Sequence, residues 1–231
     1  MSDKFYFYHG THIENMPFVL RDGVINTSLK MKDKYRIKKD WGGLDYVYGN
    51  ILFNEPERDF ADDTFQFGFV INTNIANCQT IIFNSYWAQT PIMDELSSNK
   101  LLNEIYKKIK KKKPIEIDFD DKLSWNFSIY LSPTDTQKIK KLKMKIIKIH
   151  IQKSKYGKLS SHEILFTKPI NIKMHVTFII SLSFATSAMN NIQNKAAILI
   201  QKLMKKKYQD IKYIGYDHAS THNALFDIFT Q

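Results

Sequence analysis

Cysteine, glycine, proline and arginine are all scarce in this chain of 231 residues. It holds one cysteine, eight glycines and six prolines. With Cys78 alone, an intrachain disulfide and a cysteine-based zinc site are both excluded. No long hydrophobic run occurs: the longest apolar stretches, such as Val176 to Phe184, include serine and threonine and fall well short of the roughly 20 residues that span a bilayer. The first residues, Met1-Ser2-Asp3-Lys4, show no basic segment followed by an apolar run and a small-residue cleavage site. The expectation is a cytoplasmic protein without membrane insertion, its oligomeric state open. Glycine is unevenly spread as well as rare, since Gly10, Gly23, Gly42, Gly43 and Gly49 all fall in the first fifty residues. Tight turns and close approaches of backbone to ligand are the common reasons for needing glycine. The N-terminal fifth is therefore the first place to look for a site.

What is plentiful is apolar and cationic. Hydrophobic residues make up 43% and aromatics 13%, enough to offset the ordering entropy of a folded core and to exclude disorder and coiled coil. Lys+Arg number 34 against 23 Asp+Glu, a net charge of +11, and Arg21, Arg36 and Arg58 are the only arginines. A basic surface gathers polyanions. The lysines cluster in 107–113, 138–148 and 202–207. A lysine- and isoleucine-rich coding bias is the competing explanation for them.

Periodicity gives the elements. Lys4 to Tyr8 reads as a buried strand that stops at His9-Gly10-Thr11, and Ile13 to Arg21 as a short helix halted by Asp22-Gly23. Strands are expected at Val24 to Asn26, at Leu44 to Phe53 with a break at Gly49-Asn50, at Phe65 to Asn72 and at Thr80 to Asn84. Ser28 to Asp40 reads as a charged loop. Pro91 to Lys113 is a helix with Met93, Leu96, Leu101, Ile105 and Ile109 on one side. Further strands are expected at Ile115 to Phe119, Ser124 to Leu131, Met144 to Gln152, Glu163 to Phe166, Met174 to Phe184 and Ile211 to Tyr216. Asn190 to Lys207 is a second long helix carrying Ile192, Ala196, Leu199, Ile200 and Leu203. Strands outnumber helices without regular alternation, which points to an α+β fold in a single domain, 1–231.

Three constellations carry chemistry. Tyr8-His9-Gly10-Thr11 puts an imidazole beside a residue whose backbone a planar ligand can approach. Tyr46 and Tyr48, two apart on a strand and flanked by glycines, share a face and offer a stacking surface. Glu163, opening the apolar run Glu163-Ile164-Leu165-Phe166, is a carboxylate suited to accept from sugar hydroxyls or to stabilise a developing oxocarbenium ion. Taken singly, each has a plainer reading as a turn histidine, sheet tyrosines and an exposed strand glutamate.

Together the three resemble the ADP-ribosyltransferase superfamily, in the His-Tyr-Glu branch of diphtheria-type toxins and poly(ADP-ribose) polymerases. The resemblance touches about Phe5 to Phe53 and Ser160 to Ile172. It implies a split antiparallel β-sheet with flanking helices, NAD as substrate in the cleft, no metal, and transfer of ADP-ribose to a macromolecular acceptor, protein or nucleic acid, with release of nicotinamide. By the same resemblance His9 would bind the adenosine-side ribose, with Gly10 and Thr11 beside it, and Gly10 backbone would hold the carboxamide. Tyr46 or Tyr48, with Tyr48 preferred, would stack on nicotinamide, and Glu163 would grip the nicotinamide-ribose 2′-hydroxyl. The helix that supplies a second stacking tyrosine in the family is not legible after Phe53. The related RNA 2′-phosphotransferases need arginines for phosphate and rank lower.

A rival reading uses two His-x-Thr units, His9-Gly10-Thr11 and His175-Val176-Thr177, which resemble the paired general acid and base of 2H phosphoesterases. A third reading is a non-catalytic binding module on the same fold. His218 and His222 sit in a polar stretch without an implied third ligand, so no metal site is expected.

Overall fold

The computed structural model describes residues 5–27, 30, 46–53, 67–85, 96–111, 127–153, 162–183 and 191–217. Its first element, β1 (Phe5–Thr11), leads into helix α1 (Met16–Asp22) and strand β2 (Val24–Ile25). Pro17 lies in the first turn of α1, where its missing N–H costs nothing, and Gly23 closes the helix at φ 73°. There follow β3 (Val47–Phe53), β4 (Phe67–Ile71), a 3-10 turn (Thr73–Asn77) and β5 (Ile81–Ser85). Next come α2 (Lys100–Lys110), β6 (Phe127–Leu131), α3 (Gln137–Lys153), β7 (His162–Phe166), β8 (Ile170–Asn171) and the single turn α4 (Ile172–His175). β9 (Val176–Ser183), α5 (Asn191–Lys207) and β10 (Lys212–Asp217) complete the described elements. The fold is α+β, as expected.

Eight strands form one sheet in the order β10-β9-β4-β1-β3-β7-β5-β6, and β2 pairs separately with β8. Every pairing in the large sheet is antiparallel except β9 with β10. That parallel pair is bridged by α5, as a parallel connection requires.

The sheet is split at β3. Residues Asn50 to Phe53 pair with β1, whereas Val47 to Gly49 pair with β7. Beyond Tyr8, β1 continues along β4, with His9 opposite Phe69, Gly10 opposite Gly68 and Thr11 opposite Phe67. β1 and β3 therefore part after the Tyr8/Asn50 pair. Two glycines allow the strands to pack closely around Tyr8 at this point. A Cβ on Gly49 would lie 2.5 Å from the Tyr8 carbonyl oxygen, and one on Gly68 would fall inside the Tyr8 ring.

One alternation of every central strand feeds the core. Phe7, Val47, Ile51, Phe69, Ile71, Phe83, Ile129, Ile164, Phe166 and Ile179 form a single cluster with Met16 and Leu20 of α1, Leu102 and Tyr106 of α2, Met144 and Ile147 of α3, and Ala196 and Ile200 of α5. Each fully buried Phe or Ile here contributes about 1.5–3 kcal/mol relative to exposure. The other alternation, which carries Tyr8, Tyr48, Asn84, Ser128, Glu163 and Leu165, faces away from this cluster.

Four expectations are corrected. The first strand does not stop at His9 but runs through Thr11, because β4 supplies its partners. β3 is unbroken at Gly49-Asn50, since it changes partner there rather than direction. The stretch Met144 to Gln152 is not a strand but part of the 17-residue helix α3. Buried Lys140, Met144, Ile147 and Ile151 recur at helical spacing, and adjacent buried Ile146 and Ile147 break any alternation. Thr136 caps the helix through Ile139 N–H (3.3 Å), and Lys143 anchors it to Asp135 and the Tyr130 carbonyl, both at 2.7 Å. Finally, Leu101, Ile192 and Leu199 are exposed. The buried faces of α2 and α5 are set by Ile109, Ala196 and Ile200, as expected, together with Leu102, Tyr106 and Met204. Ser28 to Asp40 apart from Lys30, Ile115 to Phe119, Gly42, Gly43, and His218 with His222 lie outside the described residues.

Candidate active site

The place where β1 and β3 separate is bridged by one side chain. His9 Nδ1 lies 2.6 Å from the Tyr48 carbonyl oxygen. A carbonyl can only accept, so Nδ1 carries the proton and the neutral ring leaves Nε2 as an acceptor. Burial lowers the His9 pKa below the usual histidine value, a shift partly opposed by the bond to Tyr48, so the ring is neutral at physiological pH. Its plane stacks on Phe69, with centroids 6.2 Å apart and 27° between the planes. By strand alternation His9 belongs with Phe7, on the side of the core, whereas Tyr48 belongs with Tyr8 on the opposite face. His9 thus fastens the seam between the two halves of the sheet. Gly10 is half-buried beside it, and Thr11 is buried one residue on.

The second half of the site is built across β3, β7, β5 and β6. Tyr48 sits opposite Leu165, so Glu163, two residues before Leu165, shares its face as a diagonal neighbour. Diagonal partners lie about 7–8 Å apart, within reach of a tyrosine and a glutamate. Their proximity is electrostatically felt. Burial first, then Glu163, then Tyr46 push the Tyr48 phenol up to about 12. The Glu163 carboxyl is raised from 4.5 to about 8 by burial. Its Oε2 is shut off from solvent with no hydrogen-bond partner among the described residues, and the Tyr48 hydroxyl is in the same condition. Tyr46 is half-buried just ahead of β3.

The structure therefore brings Tyr48 and Glu163 onto one face and ties His9 to the backbone of the same tyrosine. Sequence reading missed two neighbours. Asn84 stands directly opposite Glu163 on β5 and is fully buried, and Ser128 on β6 donates to its Oδ1 at 2.7 Å. An asparagine closing the apolar run Ile81-Ile82-Phe83-Asn84 was the available signal.

His9 and His175 are not brought together. His9 is opposite Phe69, and Phe69 is opposite Ile179, four residues past His175 and one strand further away. Three strand steps from Val176 to Ile179 are about 10 Å, and His175 lies beyond them at the end of α4. Among the described residues no group of three or more His, Cys, Asp or Glu side chains could hold a metal ion, and no helix is long and apolar enough to cross a membrane.

Comparison with known proteins adds the following. A family model described as a family of unknown function, DUF5846, matches residues 2–116. No curated protein matches the chain. Among solved structures the chain is similar to Thermus sp. 2.9 DarT in complex with carba-NAD+, at 11% identity, 94% of this chain, 97% of that one and a TM-score of 0.42. The same DarT in complex with ADP-ribosylated ssDNA matches at 11% identity over 94% of this chain and 95% of that one, with a TM-score of 0.39. Thermosipho africanus DarTG in complex with ADP-ribose matches at 9% identity over 91% of this chain and 49% of that one, with a TM-score of 0.44.

Proposed function

We propose that this protein is an NAD-dependent ADP-ribosyltransferase that releases nicotinamide and transfers ADP-ribose to a macromolecular acceptor. The observation that carries the proposal is the pairing of Glu163, with its unpartnered Oε2, and Tyr48 on one face of the split sheet, beside the seam that His9 fastens. A sugar hydroxyl supplies what each orphaned group lacks. The Tyr48 ring is the stacking surface for nicotinamide, with Tyr46 next to it. His9 lies on the core side of β1, so it meets the ligand only at the seam where β1 and β3 part; there its Nε2 accepts from the second ribose, with the backbone of Gly10 and Thr11 alongside.

The chemistry follows from charge. The nicotinamide of NAD is cationic and leaves neutral, so positive charge moves onto C1′ of the ribose as the N-glycosidic bond lengthens. An ionised Glu163 close to that centre is stabilised in step with the bond breaking, which is the differential interaction that catalysis needs. Burial alone makes the carboxylate costly. A cationic ring placed against it reverses that cost, so binding of NAD and loss of the Glu163 proton are coupled.

For the acceptor, exposed Lys138, Lys141 and Lys145 of α3 form one stripe at spacings of three and four. Lys140 and Lys143 turn instead to protein partners, Asn77 and Asp135. The stripe favours an acidic acceptor surface.

Isothermal titration with NAD tests the proposal. The expected result is saturable binding to the folded protein, weakened at least tenfold in His9→Ala and Tyr48→Ala. No binding at millimolar NAD leaves a non-catalytic module on this fold.

A further inference from the structure

We propose that Asn84, oriented by Ser128, is a positioning residue for Glu163: its amide Nδ2 donates to Oε2 and holds the ionised carboxylate toward the cleft. The inference rests on the reading of Glu163 as the carboxylate at the reacting centre. It also adds two residues that neither the motifs nor the comparisons assign.

Asn84 is completely buried and sits in register with Glu163, so their Cβ atoms are about 4.5–5.5 Å apart on the same face of the sheet. Ser128, in register on the other side, donates to Asn84 Oδ1 at 2.7 Å and thereby sets the amide with Nδ2 as its remaining donor. That Nδ2 has no partner among the described residues, and neither does Glu163 Oε2. A buried donor and a buried acceptor, each unsatisfied and each the other's cross-strand neighbour, are uncommon in a finished protein interior. An amide exists there at a desolvation cost that leucine would avoid. A small rotation of either side chain closes the bond, and closing it is worth most when the carboxyl is ionised. The groups that face Glu163 from the packed strands are Tyr48 and Asn50 on β3, with Tyr46 ahead of them, and Asn84 on β5. No cation faces it among the described residues, so neutral dipoles must stabilise the charge, and Asn84 is the one directly in register with an amide donor to spare.

Ser128 has the second role. Without its hydroxyl the amide is free to turn over and present Oδ1, which repels a carboxylate.

The test is direct titration of the Glu163 side-chain carboxyl by 13C NMR in the folded protein, assigned with Glu163→Gln. Asn84→Leu, close in volume, moves the midpoint up by about one pH unit, and Asn84→Asp moves it further because two carboxylates then face each other. Ser128→Ala moves it in the same direction by less, and Ser128→Thr restores it. In nicotinamide release from NAD at pH 7, kcat/KM falls about tenfold in Asn84→Leu, with the loss in KM rather than kcat because Glu163 gives up its proton on binding NAD, and it recovers at pH 9.5. A midpoint that stays put in both Asn84→Leu and Ser128→Ala overturns the inference, and Ser128→Ala alone decides it if Asn84→Leu does not fold. A midpoint that shifts in a protein that never turns over NAD supports the positioning role and sinks the transferase reading instead.

Discussion

Replacing Glu163 by glutamine should make the protein more stable, and only at high pH. The carboxyl is held at about 8 in the folded chain against an ordinary value near 4.5, because burial disfavours its charge. Between those two values the native state keeps a proton that the unfolded chain has released, so native protein binds more protons and its stability falls as pH rises. Each tenfold change in proton affinity is about 1.4 kcal/mol, which sets a ceiling of about 5 kcal/mol above pH 8. The residue is half-buried, so about 3 kcal/mol is the expected figure. Glu163→Gln keeps the shape and never ionises. For a chain of this size about 3 kcal/mol corresponds to about 6–12 °C in Tm. The assay is paired thermal and urea unfolding of both proteins at pH 5 and pH 9. The variant should gain no more than about 1 kcal/mol at pH 5, where the folded carboxyl is already protonated, and the full amount at pH 9. A gap that does not change with pH refutes the burial argument. A wild type that is the more stable at pH 9 does so more strongly.

Other outcomes follow from the same geometry. NAD binding at pH 7 should release close to one proton as Glu163 ionises, read as a dependence of calorimetric heat on buffer ionisation enthalpy; no proton release contradicts the coupling. Affinity for NAD should fall at acid pH once His9 protonates and Nε2 becomes a donor, with a midpoint below the usual histidine value, and this limb should vanish in His9→Gln. Gly49→Ala should cost about 1–3 kcal/mol in urea unfolding, since its Cβ has to displace the Tyr8 carbonyl at the seam; a neutral result would mean that the strands do not approach that closely there. Tyr48→Phe should retain NAD binding within a few-fold where Tyr48→Ala loses it, because the ring rather than the hydroxyl carries the stacking.

The elements legible in the sequence were those whose apolar pattern matches a single environment. α1 announced itself through Pro17 and Gly23, and β7 through the unbroken run Ile164-Leu165-Phe166. α3 looks like a strand in sequence because its β-branched residues favour strands, but its burial repeats at helical spacing and packing against the sheet outweighs propensity. The end of β1 and the continuity of β3 escape local reading for a different reason. His-Gly-Thr and Gly-Asn look like punctuation locally, yet the glycines serve close strand contact, a long-range property. Tyr48 and Glu163 could be nominated from motif resemblance, and their shared face came only from register. Asn84 and Ser128 belong to no motif. Their meaning depends on a cross-strand row that no local window contains.

The most direct measurement of the central claim is chromatographic quantification of free nicotinamide after incubating the wild-type protein and Glu163→Gln with NAD. The wild type should release nicotinamide in step with ADP-ribose appearing on a macromolecular acceptor. Glu163→Gln, folded and still binding NAD, should be slower by about 10²–10³-fold, the usual cost of losing one group that stabilises transition-state charge. Equal release by the two proteins, or none by a wild type saturated with NAD, would contradict the account.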